Sequence, residues 1–280
     1  MKTMNRTNLF FMLLSCFAIC SSCQQNEVEP TTDNETQLNQ LMPMIEKQMQ
    51  AQEAIKSILA FVQELKGQYL PNGRATEQAA ATYDNVPACA KVTTDVKNKT
   101  ITVDFGTGSC KTPNGQTTAG QLTLTIVNQT IKVEMKNLRL DDVSLNGAME
   151  VGGMYAKTST PEISVIATNL QVSYNNSTST FNMNLKQKWQ AGFGTPQSQT
   201  DDAFLLSING NMVVSEGNFD VSTQKDLQYK GSCDYITSGI VQFSKTDLTA
   251  RIDYGNDTCD NKATITVGSY TKEVNLDDLY

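Results

Sequence analysis

From Cys89 to the end of the chain, apolar and polar residues alternate almost one by one. TITVDF, QLTLTIV, TIKVEMKNLRL, EISVIATNLQVSY, TFNMNLKQKW, AFLLSING and GIVQFSK all keep, or nearly keep, a period of two. Alternation of this kind places one apolar face on each β-strand, and that face needs a core to cover it. KNK, PNG, NN, GN, TD and GND separate the runs, and these are turn residues. No useful helix-period segment lies between them, so the crossover helices that a parallel sheet requires are missing. Residues 87–280 are therefore expected to be mainly β, an antiparallel β-sandwich or a curved, partly open barrel. The abundance of Thr, Val, Asn and Gln, with only 18% charged residues, agrees with an exported β protein.

Residues 38–67 follow a different rule. Leu38, Leu41, Ile45 and Met49 form one helical stripe, and Ile55, Ile58, Leu59, Val62 and Leu65 continue it after a slip. Pro43 starts or kinks this N-terminal α-helix, and Gly67 stands where a C-cap glycine is expected. The stretch MPMIEKQMQAQ is rich in Met and Gln, a composition found on adaptable binding faces. The plainer expectation is a helix that packs against the sheet, or that pairs with a second copy as a short coiled coil. Residues 68–86 read as a linker.

The first 22 residues read as an export signal. Lys2 and Arg6 precede LFFMLLSCFAIC, which is too short to span a bilayer. Ser21 and Ser22 lead to Cys23, and the chain then turns polar and acidic. This looks like a bacterial lipoprotein signal in which Cys23 is lipidated, with residues 23–37 as a flexible tether. Cys16, after LLS, fits the preceding positions better, but processing there would leave an apolar FAIC behind. An ordinary cleaved signal is the other reading. Loss of the two cations takes the formal charge from −7 to −9. An acidic chain without a basic stripe excludes nucleic acid as a natural partner. The expected location is the bacterial outer membrane, lipid-anchored, on either its periplasmic or its cell-surface side.

Cys89, Cys110, Cys233 and Cys259 remain after the signal. With no histidine and no CxxC, a zinc site is disfavoured and two disulfides are expected. The pairing follows from a repeated phrase. TITVDFGTGSC at 100–110 and TARIDYGNDTC at 249–259 share T-x-x-[VI]-D-[FY]-G-x-x-[ST]-C. Each phrase follows a strand and a turn, forming a hairpin. If Val96 pairs with Thr100 and Lys245 with Thr249, each hairpin brings two cysteines within three residues of register at its open end. The expected bridges are Cys89–Cys110 and Cys233–Cys259, each worth roughly 3 kcal/mol by loop entropy. Val103, Ile252, Phe105 and Tyr254 then face the core, and Gly106 and Gly255 take a positive φ or a bulge. Asp104 and Asp253 lie opposite and bind loop amides. SLNGAMEV at 144–151 echoes SINGNMVV at 207–214. TAGQLTLTI and TSGIVQFS each place a glycine ahead of an alternating run, which points to a bulge or a sharp strand start.

The candidate chemistry is sparse. Asp253, Asn256, Asp257 and Asp260 form an oxygen-rich cluster and are the one calcium candidate, although the spacing is not that of an EF-hand. No other cofactor is expected. Triads based on histidine are excluded. Asp141–Asp142, Asp201–Asp202 and Asp277–Asp278 are carboxylate pairs, but adjacent strand residues point to opposite faces, so none is a glycosidase dyad by itself. Trp189, the only tryptophan, is either half-buried core, the favoured reading, or a stacking platform for sugar. Tyr155, Tyr174, Tyr229 and Tyr235 fall near strand ends or turns.

At CAKVTTDVKNKTITVDFGTGSC, and again at DYGNDTCDNKATITVGSYTKEVNL, the chain resembles uncharacterised lipoproteins of Bacteroidetes-type bacteria. Those chains open with a C…TITVDFG…C phrase and close with DYGNGTCDN. The resemblance covers most of residues 87–280. NDTCDN departs from the glycine-containing form, and Thr118 replaces a charged residue. The resemblance implies an envelope β protein and no established activity. The expected function is therefore binding or structural, without catalysis, with a glycan or an envelope or host protein as ligand. A carboxylate-dependent enzyme acting on polysaccharide, and a carrier of an apolar ligand, are the alternatives.

Overall fold

The computed structural model describes residues 32–69, 86–112, 115–154, 161–192, 200–215, 217–246 and 248–279. The signal, Cys16, Cys23, Tyr155, the first part of the tether and most of the linker lie outside the described residues. Among the described residues, one α-helix, α1 (Thr32–Tyr69), precedes thirteen strands in one sheet. The first five strands are β1 (Lys91–Asp95), β2 (Thr100–Lys111), β3 (Thr117–Val127), β4 (Thr130–Leu140) and β5 (Val143–Gly152). Then come β6 (Glu162–Tyr174), β7 (Ser177–Ala191), β8 (Ala203–Val214) and β9 (Gly217–Lys230). The last four are β10 (Ser238–Lys245), β11 (Leu248–Asn256), β12 (Lys262–Val267) and β13 (Tyr270–Asn275). A 3₁₀ turn, Leu276–Asp278, follows.

Every strand pairs antiparallel with its neighbour in sequence, and β1 and β13 are the two edges. The sheet is a continuous open meander, mainly β as the alternation requires, and not two stacked sheets. Laid flat, thirteen strands would span about 60 Å. Yet α1 touches both halves of the sheet. Phe61 meets Phe105 of β2 with ring centroids 5.7 Å apart. Lys66 donates to the carbonyl of Met154, just past β5. Lys56 lies over the Tyr229 ring of β9 at 5.6 Å, and Asn34 donates to Ser269 beyond β12 at 3.2 Å. A single helix reaches all of these only if the sheet curls around it.

The curvature has a local cause. The register of the ladders slips once or more between each strand and the next from β2 to β11, near Gly106, Gly120, Asn137, Gly147 and Asn169, for example. Such slips bend strands and raise their twist. Asn146 Oδ1 accepts the Asn137 amide at 2.7 Å, and Asn182 Oδ1 accepts the Asn169 amide at 2.8 Å. The irregularities at Asn137 and Asn169 are thus each closed by an asparagine from the following strand. Gly120, at φ +84°, leaves no room for a side chain, because a Cβ there would lie 2.0 Å from the Asn137 carbonyl oxygen. Both glycines of the repeated small-Gly runs fall at register slips: Gly120 inside β3, which begins at Thr117, and Gly239 next to Ser238, the first residue of β10.

The helix departs from the sequence reading at both ends. It begins at Thr32, inside the expected tether, and runs through Pro43 and Gly67 to Tyr69. Both expected stripes are buried, together with Met44, Ala51, Ala54 and Phe61. The five consecutive residues Gln48 to Gln52 are all buried. Five residues exceed one helical turn, so the middle of α1 is covered on every side. Packing against the sheet, not pairing with a second copy, accounts for its apolar surface. Among the described residues, no helix is long and apolar enough to cross a membrane.

Both disulfides form as the register predicts, Cys89–Cys110 and Cys233–Cys259, with Cα atoms 5.8 and 5.7 Å apart. The turns are set one residue differently. Asp95, not Val96, pairs with Thr100, and Lys245 pairs with Leu248, not Thr249. In β2, the ladder to β3 slips between Gly106 and Cys110, just ahead of the first bridge. The repeated phrase has one geometry in both places. Val103, Ile252, Phe105 and Tyr254 are buried. Gly106 and Gly255 have φ of 72° and 83°. Asp104 Oδ1 accepts the Gly106 amide at 2.8 Å, and Asp253 Oδ1 accepts the Gly255 amide at 2.9 Å.

Candidate ligand-binding cleft

One cleft of about 370 Å³ opens between α1 and the inner faces of β7, β8 and β9. That is within the range of small-molecule sites, roughly 300–1,000 Å³. The floor is an aromatic row set by strand register. Trp189 pairs with Phe204, and Phe204 pairs with Tyr229, so three rings lie side by side on one face of three strands. Trp189 and Phe204 meet edge to face, with centroids 4.7 Å apart and planes at 72°, a favourable quadrupole arrangement. The opposite wall is a face of α1 carrying Gln52, Ile55, Lys56, Leu59 and Gln63. Gln187 and Asp202 add polar groups from the sheet side, and Cys233 and Asp234 form part of the rim.

Asp202 is the group best placed for chemistry. Burial, and next the charge of Asp201, push its carboxyl above the usual range, while a hydrogen bond from the Trp189 indole opposes them. The bond also fixes the indole. Trp189 takes the core place that the sequence reading favoured. It is 8% exposed and packed into the core, and it lines the cleft.

The other sequence candidates are placed elsewhere. Asp253 Oδ1 is engaged by the Gly255 amide, and Asp260 Oδ1 accepts the Lys262 amide at 3.0 Å. Asp257 lies 2.7 Å from Lys230 Nζ and accepts the Thr237 hydroxyl at 3.0 Å, so its carboxyl is held below the usual range. Asn256 pairs with Ser238 in the ladder. Among the described residues, no group of three or more His, Cys, Asp or Glu is placed to hold a metal ion. Asp141 Oδ1 accepts the Thr117 amide at 2.8 Å, and Asp277 accepts from Tyr235 and Asn261. Of the three carboxylate pairs, only Asp201–Asp202 reaches the cleft.

A second depression, about 650 Å³ but shallower, lies on the outer face beside the β2–β4 irregularities, with Lys136 and Arg139 on its lining and no aromatic ring. The roles of Phe204 and Tyr229 were not apparent from sequence, because the pairing across the long β7–β8 connection had to be known first. The chain matches no known protein family, no curated protein and no solved structure.

Proposed function

We propose that this chain is an envelope lipoprotein, anchored through Cys23, that binds carbohydrate in the α1–β7–β9 cleft. The observation that carries the reading is the aromatic row Trp189–Phe204–Tyr229, with Asp202 and Gln187 beside it, facing Gln52 and Lys56 of α1 across one cleft. Sugars present apolar C–H faces to aromatic rings and hydroxyls to amides and carboxylates, and this cleft offers both. The anchor rests on the export signal and on the resemblance of residues 87–280 to Bacteroidetes-type lipoproteins.

The test is an array of defined oligosaccharides probed with the wild-type protein and with Asp202→Asn and Gln187→Ala variants. Carbohydrate binding weakened by both variants supports the reading. No binding to any sugar by folded protein contradicts it. The anchor is tested by metabolic lipid labelling of the wild type against Cys23→Ala, and protease shaving of intact cells shows which side the protein faces.

A second reading, hydrolysis of polysaccharide, draws on Asp202 and Asp234 lining the same cleft, with burial and Asp201 pushing the Asp202 carboxyl above its usual range, the direction a general acid needs. Release of reducing ends from a bound glycan, lost in both Asp202→Asn and Asp234→Asn, would replace binding with turnover.

A further inference from the structure

The charges that line the cleft are unequally matched. Lys56 lies 3.2 Å from Glu53, one turn back along α1, and Lys230 lies 2.7 Å from Asp257, just past β11. Neither acid lines the cleft, so both lysines are matched from outside it. Asp202 and Asp234 line the cleft as well, and among the described residues neither has a cation paired with it. The cleft therefore keeps two uncompensated carboxyl groups beside three aromatic rings. The faces of such rings attract cations through their quadrupole. One example is already in place: the Lys56 ammonium lies over the Tyr229 ring, 5.6 Å from its centroid. A cation thus sits at one end of the row, supplied by the opposite wall.

We propose that the cleft selects an unacetylated amino sugar, which turns its free ammonium group toward the aromatic row and the carboxyl groups of Asp202 and Asp234. The proposal rests on the carbohydrate reading above. An ammonium donates three hydrogen bonds and accepts none, and a carboxylate only accepts, so the two match. Burial and the charge of Asp201 make an ionised Asp202 costly, and a bound cation offsets both. A uronic acid or a sulfated sugar would set like charge against Asp202 and Asp234. Acetylation turns the ammonium into a neutral amide and removes its attraction to rings and carboxylates together. Lys56 is then a built-in competitor, because its ammonium holds the ring face of Tyr229 that the ligand would take.

The experiment is calorimetric titration of full-length protein in detergent with three trisaccharides. They share one backbone and differ at a single carbon, which carries a free amine, an acetamido group or a hydroxyl. The free amine should bind about tenfold tighter than the other two. Asp202→Asn, and Asp234→Asn at the exposed rim, should each erase most of that preference. Asp234→Asn should leave binding of the hydroxyl sugar intact. Asp220→Asn is the control: it removes the same charge from an exposed position between buried Phe219 and Val221, on the outer face of β9, and should keep the preference. Lys56→Met should bind the amine as tightly as the wild type or more tightly. Equal binding of all three sugars, or tighter binding of the acetamido or hydroxyl form, overturns the proposal. So does weaker amine binding in Lys56→Met, or a preference lost equally in Asp220→Asn, which is the pull of an acidic protein on any cation. In each of these cases the carbohydrate reading stands. Absence of binding to every sugar by folded wild-type protein overturns both.

Discussion

The β1–β2 and β10–β11 hairpins share one phrase and one local geometry, but they occupy different places in the sheet. In each, a core valine or isoleucine, an aromatic ring, a positive-φ glycine and an aspartate that binds the glycine amide follow in the same order. In each, a disulfide joins the open end. β1 is an edge strand, whereas β10 and β11 have partners on both sides. Cys233, in the second hairpin's bridge, lines the cleft, and Asp257 of that hairpin is tied to Lys230 at the end of β9. The first copy has Thr107 and Gly108 where the second has Asn256 and Asp257. A short phrase thus specifies a strand end, while its neighbours decide what the strand end does.

Removing the disulfides should separate the copies most strongly. Paired Cys→Ala replacement at either bridge should cost roughly 3 kcal/mol in urea unfolding, because the closed loops of 21 and 26 residues are similar in length. Only loss of Cys233–Cys259 should also weaken ligand binding, since only that bridge shapes the cleft. Equal effects on binding would remove the distinction between the hairpins.

A smaller, matched effect is expected at the repeated glycines. Nothing lies within 4 Å of a Cβ built at Gly106 or Gly255. Alanine at either site therefore meets only the backbone cost of the left-handed region, about 1 kcal/mol. Gly120→Ala, which collides with the Asn137 carbonyl, should cost more than either. Unequal losses at Gly106 and Gly255 would show that the shared geometry is not shared energetically.

The smallest effect is on pH dependence. Lys230 first, then Thr237, hold the Asp257 carboxyl below its usual range. A depressed carboxyl contributes stability above its unfolded pKa and loses it as the pH falls through the folded value. Asp257→Asn should slightly flatten the acid side of a plot of Tm against pH. Identical curves for wild type and Asp257→Asn would remove the Lys230 pair as a difference between the hairpins.

Much of this architecture was legible because it is local or periodic. Alternation gave the strands, and hairpin register gave both disulfides even though each turn was set one residue away from its real position. The choice between a sandwich and a curved sheet was not legible. It depends on a line of bulges closed by Asn146 and Asn182, which act between strands. The helix start was hidden by a polar first turn, and the enclosed centre by the polar side chains of Gln48, Gln50 and Gln52. The cleft was legible only as Trp189. Its other rings and its helical wall come together through the pairing of β7 with β8 and the curl of the sheet around α1.

The most direct measurement is a crystal structure of the protein with the tightest oligosaccharide from the array. The expected result is a sugar seated between the Trp189–Phe204–Tyr229 row and the α1 wall of Gln52 and Lys56. A sugar bound on the outer face beside Lys136 and Arg139, with the α1 cleft unchanged, would contradict it.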